Sequence, residues 1–398
     1  MARRTHVRIP VAGRALSPVG SDFVSVEVLG GVLLLGATVA ALLWANIAAA
    51  SYTELWERHL TIGQGSLAVT ESVREWVNNG PMAVFFFVVG IEIKRELVRG
   101  ELRDRRTATL PVFAAVGGML VPALLYLMLN PGRPEQRGWA IPMATDIAFA
   151  VVVLAVLGTR VPRPLKLFLL TLAIVDDIGA VIVIALFYSH GIALGWLAAG
   201  AGVVAAIVVL QRLGVGQPVL YVIPSVALWV CLLESGVHAA MAGVILGLLT
   251  PARPFGGRAV IEQLETRLHL WSSFLVIPLF ALANAGVELD ATAVQRALES
   301  RIAWGVALGL VVGKPLGIML ASALAVRTGL SRLPDGVSFR RLLGVGMIAG
   351  IGFTVSLFVA GLSFTGARLD DAKFAILAAS VVSATVGALW IRFTSARA

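Results

Sequence analysis

Long apolar stretches separated by short polar intervals run almost the whole length of the chain. Read as helices, they give about twelve spans. Roughly, these are 24–47, 76–98, 109–129, 139–157, 165–188, 192–210, 218–233, 236–250, 269–287, 302–324, 341–363 and 373–393. Most connections are short, so the helices are expected to pack as one transmembrane unit, an all-α polytopic membrane protein over 1–398. The longest polar interval outside the apolar stretches, about residues 48–75, follows a different period. His59-Leu60-Thr61-Ile62 and Ser66-Leu67-Ala68-Val69 flank Gly63-Gln64-Gly65. Alternation about a glycine-containing turn predicts a small extramembrane β-hairpin over 59–69, with an ordinary ordered loop as the alternative. A lone hairpin is marginal in water, so pairing with a second copy would steady it.

Two of the twelve stretches are interrupted. Span 4 carries Pro142 and then Ala144-Thr145-Asp146, and span 11 carries Gly344, Gly346, Gly350 and Gly352. Polar and glycine residues at membrane depth let a helix unwind where protein or a cavity covers it. If 109–188 and 302–393 are inverted repeats, both breaks fall in the middle helix of a repeat. Matching interruptions of this kind point to a transport site.

Composition agrees with the pattern and changes the reading of the charge. The chain is 58% hydrophobic and only 14% charged, with a mean hydropathy of +0.89. Soluble domains carry about 25% charge. The net charge of +9 would otherwise suggest nucleic acid, but the cations are placed by topology. With the N-terminus inside, 23 of the 32 Lys and Arg fall on the cytoplasmic side and 8 on the other, and Lys314 lies within span 10. That asymmetry predicts both termini in the cytoplasm (residues 1–23 as an N-terminal tail) and no nucleic-acid partner. Arg3, Arg4, Arg8 and Arg14 before an apolar run that ends at Ala48-Ala49-Ala50 resemble a signal peptide, but the run is too long and reads as an uncleaved first span. The single cysteine, Cys231, permits no internal disulfide and no cysteine metal site.

The informative charges lie inside the apolar runs. Asp176 and Asp177 sit at the middle of LKLFLLTLAIVDDIGAVIVIALFY, and Asp146 and Lys314 also fall near mid-membrane. Left uncompensated, the four would cost on the order of 10–14 kcal/mol, so they are expected to meet. Neighbouring helix positions point about 100° apart. One of the pair is therefore expected to face Lys314 and the other a water-filled cavity. Carboxylate oxygens suit a hard monovalent cation. A carboxylate withdrawn from water beside a second one holds a proton more readily than the ordinary value of about 3.9 implies. The same oxygens then take H⁺ or Na⁺, but not both. Lys314 offers a second labile proton, which would make exchange electrogenic. Asp146, at the break in span 4, reads as a compensator of helix N-termini, with Lys314 complementary to it near C-termini. Thr145 offers a hydroxyl to a cation or to its own backbone. His238 reads as a packing residue or a pH-responsive group. Glu92, Arg95 and Glu96 share a helix face, and with Glu265 and His269 they read as a titrating mouth or a solvated helix end.

At these residues the chain resembles the NhaA-type bacterial sodium/proton antiporters, which are built from inverted repeats. The matching stretches are ATDIAFA (144–150), AIVDDIGAVIVIALFY (173–188), SGVHAAMAGVILG (235–247), PLFALANAGV (278–287), GKPLGI (313–318) and GIGFTVSLF (350–358). The resemblance runs in order from about Gly30 to Arg392. It implies that Asp177 is the main Na⁺- and H⁺-binding carboxylate and that Asp176 is its partner, bridged to Lys314. It implies that Asp146 lies at the crossing of the broken helices, with Thr145 beside the cation site. It ties Glu92, Arg95, Glu96, His238, Glu265 and His269 to pH response, and the hairpin to a homodimer contact. Na⁺, Li⁺ and H⁺ are the implied partners, and Asp177 with Asp176 the implied Na⁺/Li⁺ ligands. The implied setting is the lipid bilayer of a bacterial cytoplasmic (inner) membrane, with no cofactor and no enzymatic activity. One departure is Asn79, in WVNNGPMAVFF, where the family's best-known member is expected to have an acidic residue.

Two other classes compete. A Na⁺-coupled organic-solute symporter on the same fold needs a larger polar or aromatic-lined pocket, and no clear one is visible. An intramembrane aspartyl protease needs facing aspartates on different helices, and a GxGD signature is absent.

Overall fold

The computed structural model describes residues 19–63, 68–132, 134–189, 191–252 and 260–395. The chain opens with α1 (Val19–Ile47) and a short α2 (Ala49–Glu57), then β1 (His59–Ile62), β2 (Val69–Ser72) and α3 (Val73–Asn79). Next come α4 (Pro81–Arg99) and α5 (Arg105–Leu129). A 3-10 segment over Glu135–Met143 leads to α6 (Ile147–Leu157), followed by α7 (Arg163–Phe187), α8 (Leu194–Arg212), α9 (Val222–Ser235) and α10 (Met241–Leu249). Two later helices are continuous but contain five-residue π-turns. One is α11 (Val260–Trp271), the turn Ser272–Val276 and α12 (Ile277–Asn284). The other follows α13 (Ala291–Glu299) and comprises α14 (Arg301–Leu308), the turn Gly309–Gly313 and α15 (Lys314–Arg327). The chain ends with α16 (Phe339–Ala349), α17 (Phe353–Ser363) and α18 (Ala367–Ser395).

Eight described helices are long and apolar enough to cross a membrane, or ten if each of two bent pairs is one span. The two further stretches expected as spans fall outside that count, which rests on length and composition. The last turns of α4 carry Glu92, Lys94, Arg95, Glu96 and Arg99, and α10 has only nine residues. At 1.5 Å per residue α10 covers about 14 Å, half a hydrocarbon core.

Both bent pairs fall in spans 4 and 11. The 3-10 segment and α6 meet at 40° across Ala144-Thr145-Asp146, and α16 and α17 meet at 47° across Gly350-Ile351-Gly352. Gly344 and Gly346 lie inside α16 and do not interrupt it. The two breaks cross each other, and the Asp146 N–H donates to the Ile351 carbonyl at 2.6 Å. Around them α5 packs closely along α15. A Cβ on Gly117 would lie 2.3 Å from the Gly317 carbonyl oxygen, and one on Gly317 would lie 2.1 Å from the Gly117 oxygen. Small residues are what permit such backbone approach between membrane helices.

The hairpin exists, with a different register from the expected one. β1 pairs antiparallel with β2, His59 opposite Ser72 and Ile62 opposite Val69. The second strand is thus Val69–Ser72, not Ser66–Val69; Gln64 and Gly65 of the expected turn, with Ser66 and Leu67 of the expected strand, lie outside the described residues. Ser72 sets the end of the strand. Its hydroxyl accepts from the Glu75 N–H, while its own N–H donates to the Glu75 carboxylate, a capping box that starts α3. Of the N-terminal tail expected over 1–23, residues 1–18 lie outside the described residues and the remainder is already helical.

Candidate functional site

The site is built where the unbroken α7 passes the crossing. Asp176 and Asp177 are both buried, and their side chains part as helix geometry requires. Asp176 Oδ2 accepts from Lys314 Nζ at 2.6 Å and from Thr145 Oγ1 at 2.7 Å. Lys314 Nζ also donates to the carbonyl of Met143, the last residue of the 3-10 segment. The cation therefore serves a carboxylate and a helix C-terminus at once. Its position follows from the chain, because Lys314 begins α15 directly after a π-turn, a local widening that recurs at functional sites.

Asp146 is committed differently. It caps α6 by accepting from the Phe149 N–H at 3.1 Å. Its other oxygen accepts from the Thr354 N–H at 2.9 Å and from Thr354 Oγ1 at 2.7 Å. One carboxylate thus serves the N-termini of both α6 and α17. Thr145 Oγ1 also lies 3.0 Å from the Ala349 carbonyl at the end of α16. Thr354 was not singled out in the sequence. Its signal was its place just after the GIG break.

Asp177 has no hydrogen bond or ion pair with any described residue. It borders a cavity of about 370 Å³ together with Thr145, Asp146 and Thr354. The cavity extends past Phe85, Val88 and Ile174 to Glu92, Glu96 and the exposed Glu101. At this mouth the structure brings five of the expected residues together. Arg95 pairs with Glu265 and lies 3.4 Å from Glu96, joining α4 to α11. His269 Nδ1 is 3.9 Å from Glu92 Oε1, and His269 Nε2 is 3.1 Å from Glu27 Oε1.

Glu27 is a member that sequence reading missed. An acid in the apolar run SVEVLGG was the available signal. The span expected over 24–47 contains it near its start, whereas α1 starts at Val19 and puts Glu27 two turns inside. His238 is elsewhere. Its ring stands edge-on to Phe358 at 4.8 Å, and its Nδ1 accepts from the Ala240 N–H at 3.3 Å. It does not border the cavity. Asn79, the departure noted above, gives its carbonyl to the Trp229 indole N–H at 2.8 Å.

The arrangement offers one uncommitted carboxylate at the end of an acid-mouthed cavity. Beside it are an ion pair and a pair of neutralised helix ends. Comparison with known proteins gives the same direction. The family described as Na⁺/H⁺ antiporter 1 matches residues 21–391. The Na(+)/H(+) antiporter NhaA 2 of Sorangium cellulosum (strain So ce56) is 47% identical over 408 aligned residues, covering 92% of this chain and 87% of that protein. The Na(+)/H(+) antiporter NhaA of Escherichia coli O1:K1 / APEC is 46% identical over 376, covering 93% and 97%. Its counterpart in Shigella dysenteriae serotype 1 (strain Sd197) is 45% identical over the same length.

Proposed function

The chain belongs to the Na⁺/H⁺ antiporter 1 family, and from that premise we propose that it exchanges Na⁺ for H⁺ across a bacterial inner membrane, using Asp177 as the shared binding carboxylate. The observation that carries this is Asp177 itself, a buried carboxylate with no partner among the described residues, at the inner end of a cavity. Such a group must hold either a proton or a cation. Thr145 Oγ1 keeps lone pairs beside it, and Asp176 supplies a second carboxylate when its bridge to Lys314 loosens. A cation bound between the two aspartates competes with Lys314 for Asp176. Its arrival then expels one proton from Asp177 and a second from the Asp176–Lys314 pair. Two protons against one Na⁺ make the exchange electrogenic, and Li⁺, equally hard, uses the same oxygens.

The two breaks supply the moving part. Residues 109–188 and 302–393 act as inverted repeats that rock about the crossing, so that the site opens to one side at a time. Asp146 keeps the two N-terminal ends neutral in either position. Glu92, Arg95, Glu96, Glu265 and His269, joined by Glu27, set the pH response at the cytoplasmic mouth, and His238 contributes from its own location. Both termini are cytoplasmic. Two copies associate through the hairpin.

The test is proton flux in everted membrane vesicles, read with a ΔpH-sensitive dye after a pulse of NaCl. Wild type should recover the dye signal, and Asp177→Asn should insert normally and show none. Normal recovery by the variant would sink the assignment of Asp177.

A further inference from the structure

Between its acidic mouth and Asp177 the cavity is walled chiefly by apolar side chains, including Phe85, Val89, Leu170 and Ile277. Three hydroxyls interrupt that wall. Thr171 stands on α7, six residues before Asp177 and so about 9 Å along the axis. Ser272 and Ser273 come from the π-turn, one turn beyond His269. All three are more than nine-tenths buried, at 6%, 2% and 7% exposure. All three border the cavity.

Hydroxyls in a membrane helix ordinarily return their proton to the carbonyl four residues back. Thr38, Ser225, Thr250 and Ser363 do so here, at 2.7–3.0 Å. Thr171, Ser272 and Ser273 have no side-chain hydrogen bond to any described residue. Ser322, Ser380 and Ser383 are also buried without a partner among the described residues, but they lie off the cavity. The π-turn explains how two consecutive serines reach one cavity. Its wider turn sits between α1 and α4, and Ser273 is held against Gly30, where a Cβ would lie 2.9 Å from the Ser273 Cβ. Thr171, Ser272 and Ser273 all line the path from Glu92 to Asp177.

We propose that Thr171, Ser272 and Ser273 form a transit station for a partly hydrated monovalent cation, lending hydroxyl oxygens in place of water between the mouth and Asp177. Uncharged oxygens suit this task, because a hard cation accepts them as ligands yet is held weakly enough to leave. A third carboxylate there would trap the ion. The station speeds arrival and departure equally and leaves the final affinity to Asp177. The proposal rests on the Na⁺/H⁺ exchange reading above.

The test uses the full chain in proteoliposomes and the triple variant Thr171→Val, Ser272→Ala, Ser273→Ala. The expected result is an apparent KM for Na⁺ raised about tenfold, with kcat within twofold of wild type. The Na⁺ Kd from isothermal titration should be unchanged. The hydroxyl-retaining variant Thr171→Ser, Ser272→Thr should keep the wild-type KM. A triple variant with wild-type KM overturns the station. So does a Kd that rises in step with KM, since the hydroxyls would then belong to the terminal site. A loss of kcat with a lowered melting temperature also overturns it, as the mark of a packing role. A wild type that neither binds nor exchanges Na⁺ overturns the exchange reading itself, and the station with it.

Discussion

Asp176 and Asp177 are chemically identical neighbours, and their surroundings separate them completely. Asp176 meets an ammonium at 2.6 Å and a hydroxyl at 2.7 Å, while Asp177 meets a cavity. Removing one member of a buried pair leaves the other uncompensated, at a cost of about 3–5 kcal/mol. Lys314→Ala should therefore lower the melting temperature in detergent clearly. Lys314→Gln combined with Asp176→Asn, which restores a neutral hydrogen-bonded pair, should recover much of the loss. Equal melting of wild type and Lys314→Ala would remove the bridge from the account. A second residue-scale prediction concerns the hairpin. Burial, followed by a hydrogen bond and repulsion from Glu75, raises the Glu71 carboxyl from its ordinary 4.5 to about 7. Burial also acts on Glu75, but the Ser72 N–H and hydroxyl outweigh it and hold that group low. The folded hairpin thus binds a proton more tightly than the unfolded chain does at Glu71. The Glu71 contribution to its order should be complete below about pH 4.5 and be lost as pH rises through about 7. Amide exchange of His59–Ile62, corrected for intrinsic rate, should quicken from pH 5.5 to 8, and Glu71→Gln should abolish that change.

At the scale of elements, the breaks and the helix contacts decide the architecture. The span 4 break was legible because Asp146 has no place in an apolar helix without a partner. Its partner, the start of α17, was not legible as such, since the N–H it uses belongs to Thr354, 208 residues away. Glycine count also misled in span 11. Gly344 and Gly346 serve close packing within α16, and only Gly350 to Gly352 unwind. The hairpin moved by three residues for a local reason, since the capping box ties Ser72 to the start of α3. Packing of α5 on α15 leaves no room for an added methyl. Gly317→Ala would place a methyl 2.1 Å from a backbone oxygen that has no freedom to yield. The two helices must separate, disturbing Lys314 one turn away on α15. Gly317→Ala should lower the melting temperature and reduce exchange together, whereas Gly361→Ala, with open space at its Cβ, should leave both near wild type. Thermal unfolding and vesicle flux on the same preparations check this.

For the whole molecule, we propose that the exchanger works as a dimer. β1 is exposed along its length, and among the described residues the sheet has two strands. A strand edge of that kind gains hydrogen bonds by pairing with a second copy. Deleting residues 60–69 should weaken dimers in native electrophoresis far more than it lowers Na⁺-driven flux. Intact dimers would refute the hairpin's role. The sequence by itself determined the class of molecule, the positions of the apolar spans and the residues that carry charge into them. Those follow from local quantities: the length of an apolar run and the cost of burying a charge do not depend on what stands opposite. Only the tertiary structure decided that Glu27 joins the mouth, that His238 stands apart, and that Thr171 and the two serines share one cavity. These depend on the rotation of each helix about its axis and on where two breaks cross. Residues 138 or more apart in the chain set both, and no local pattern encodes them.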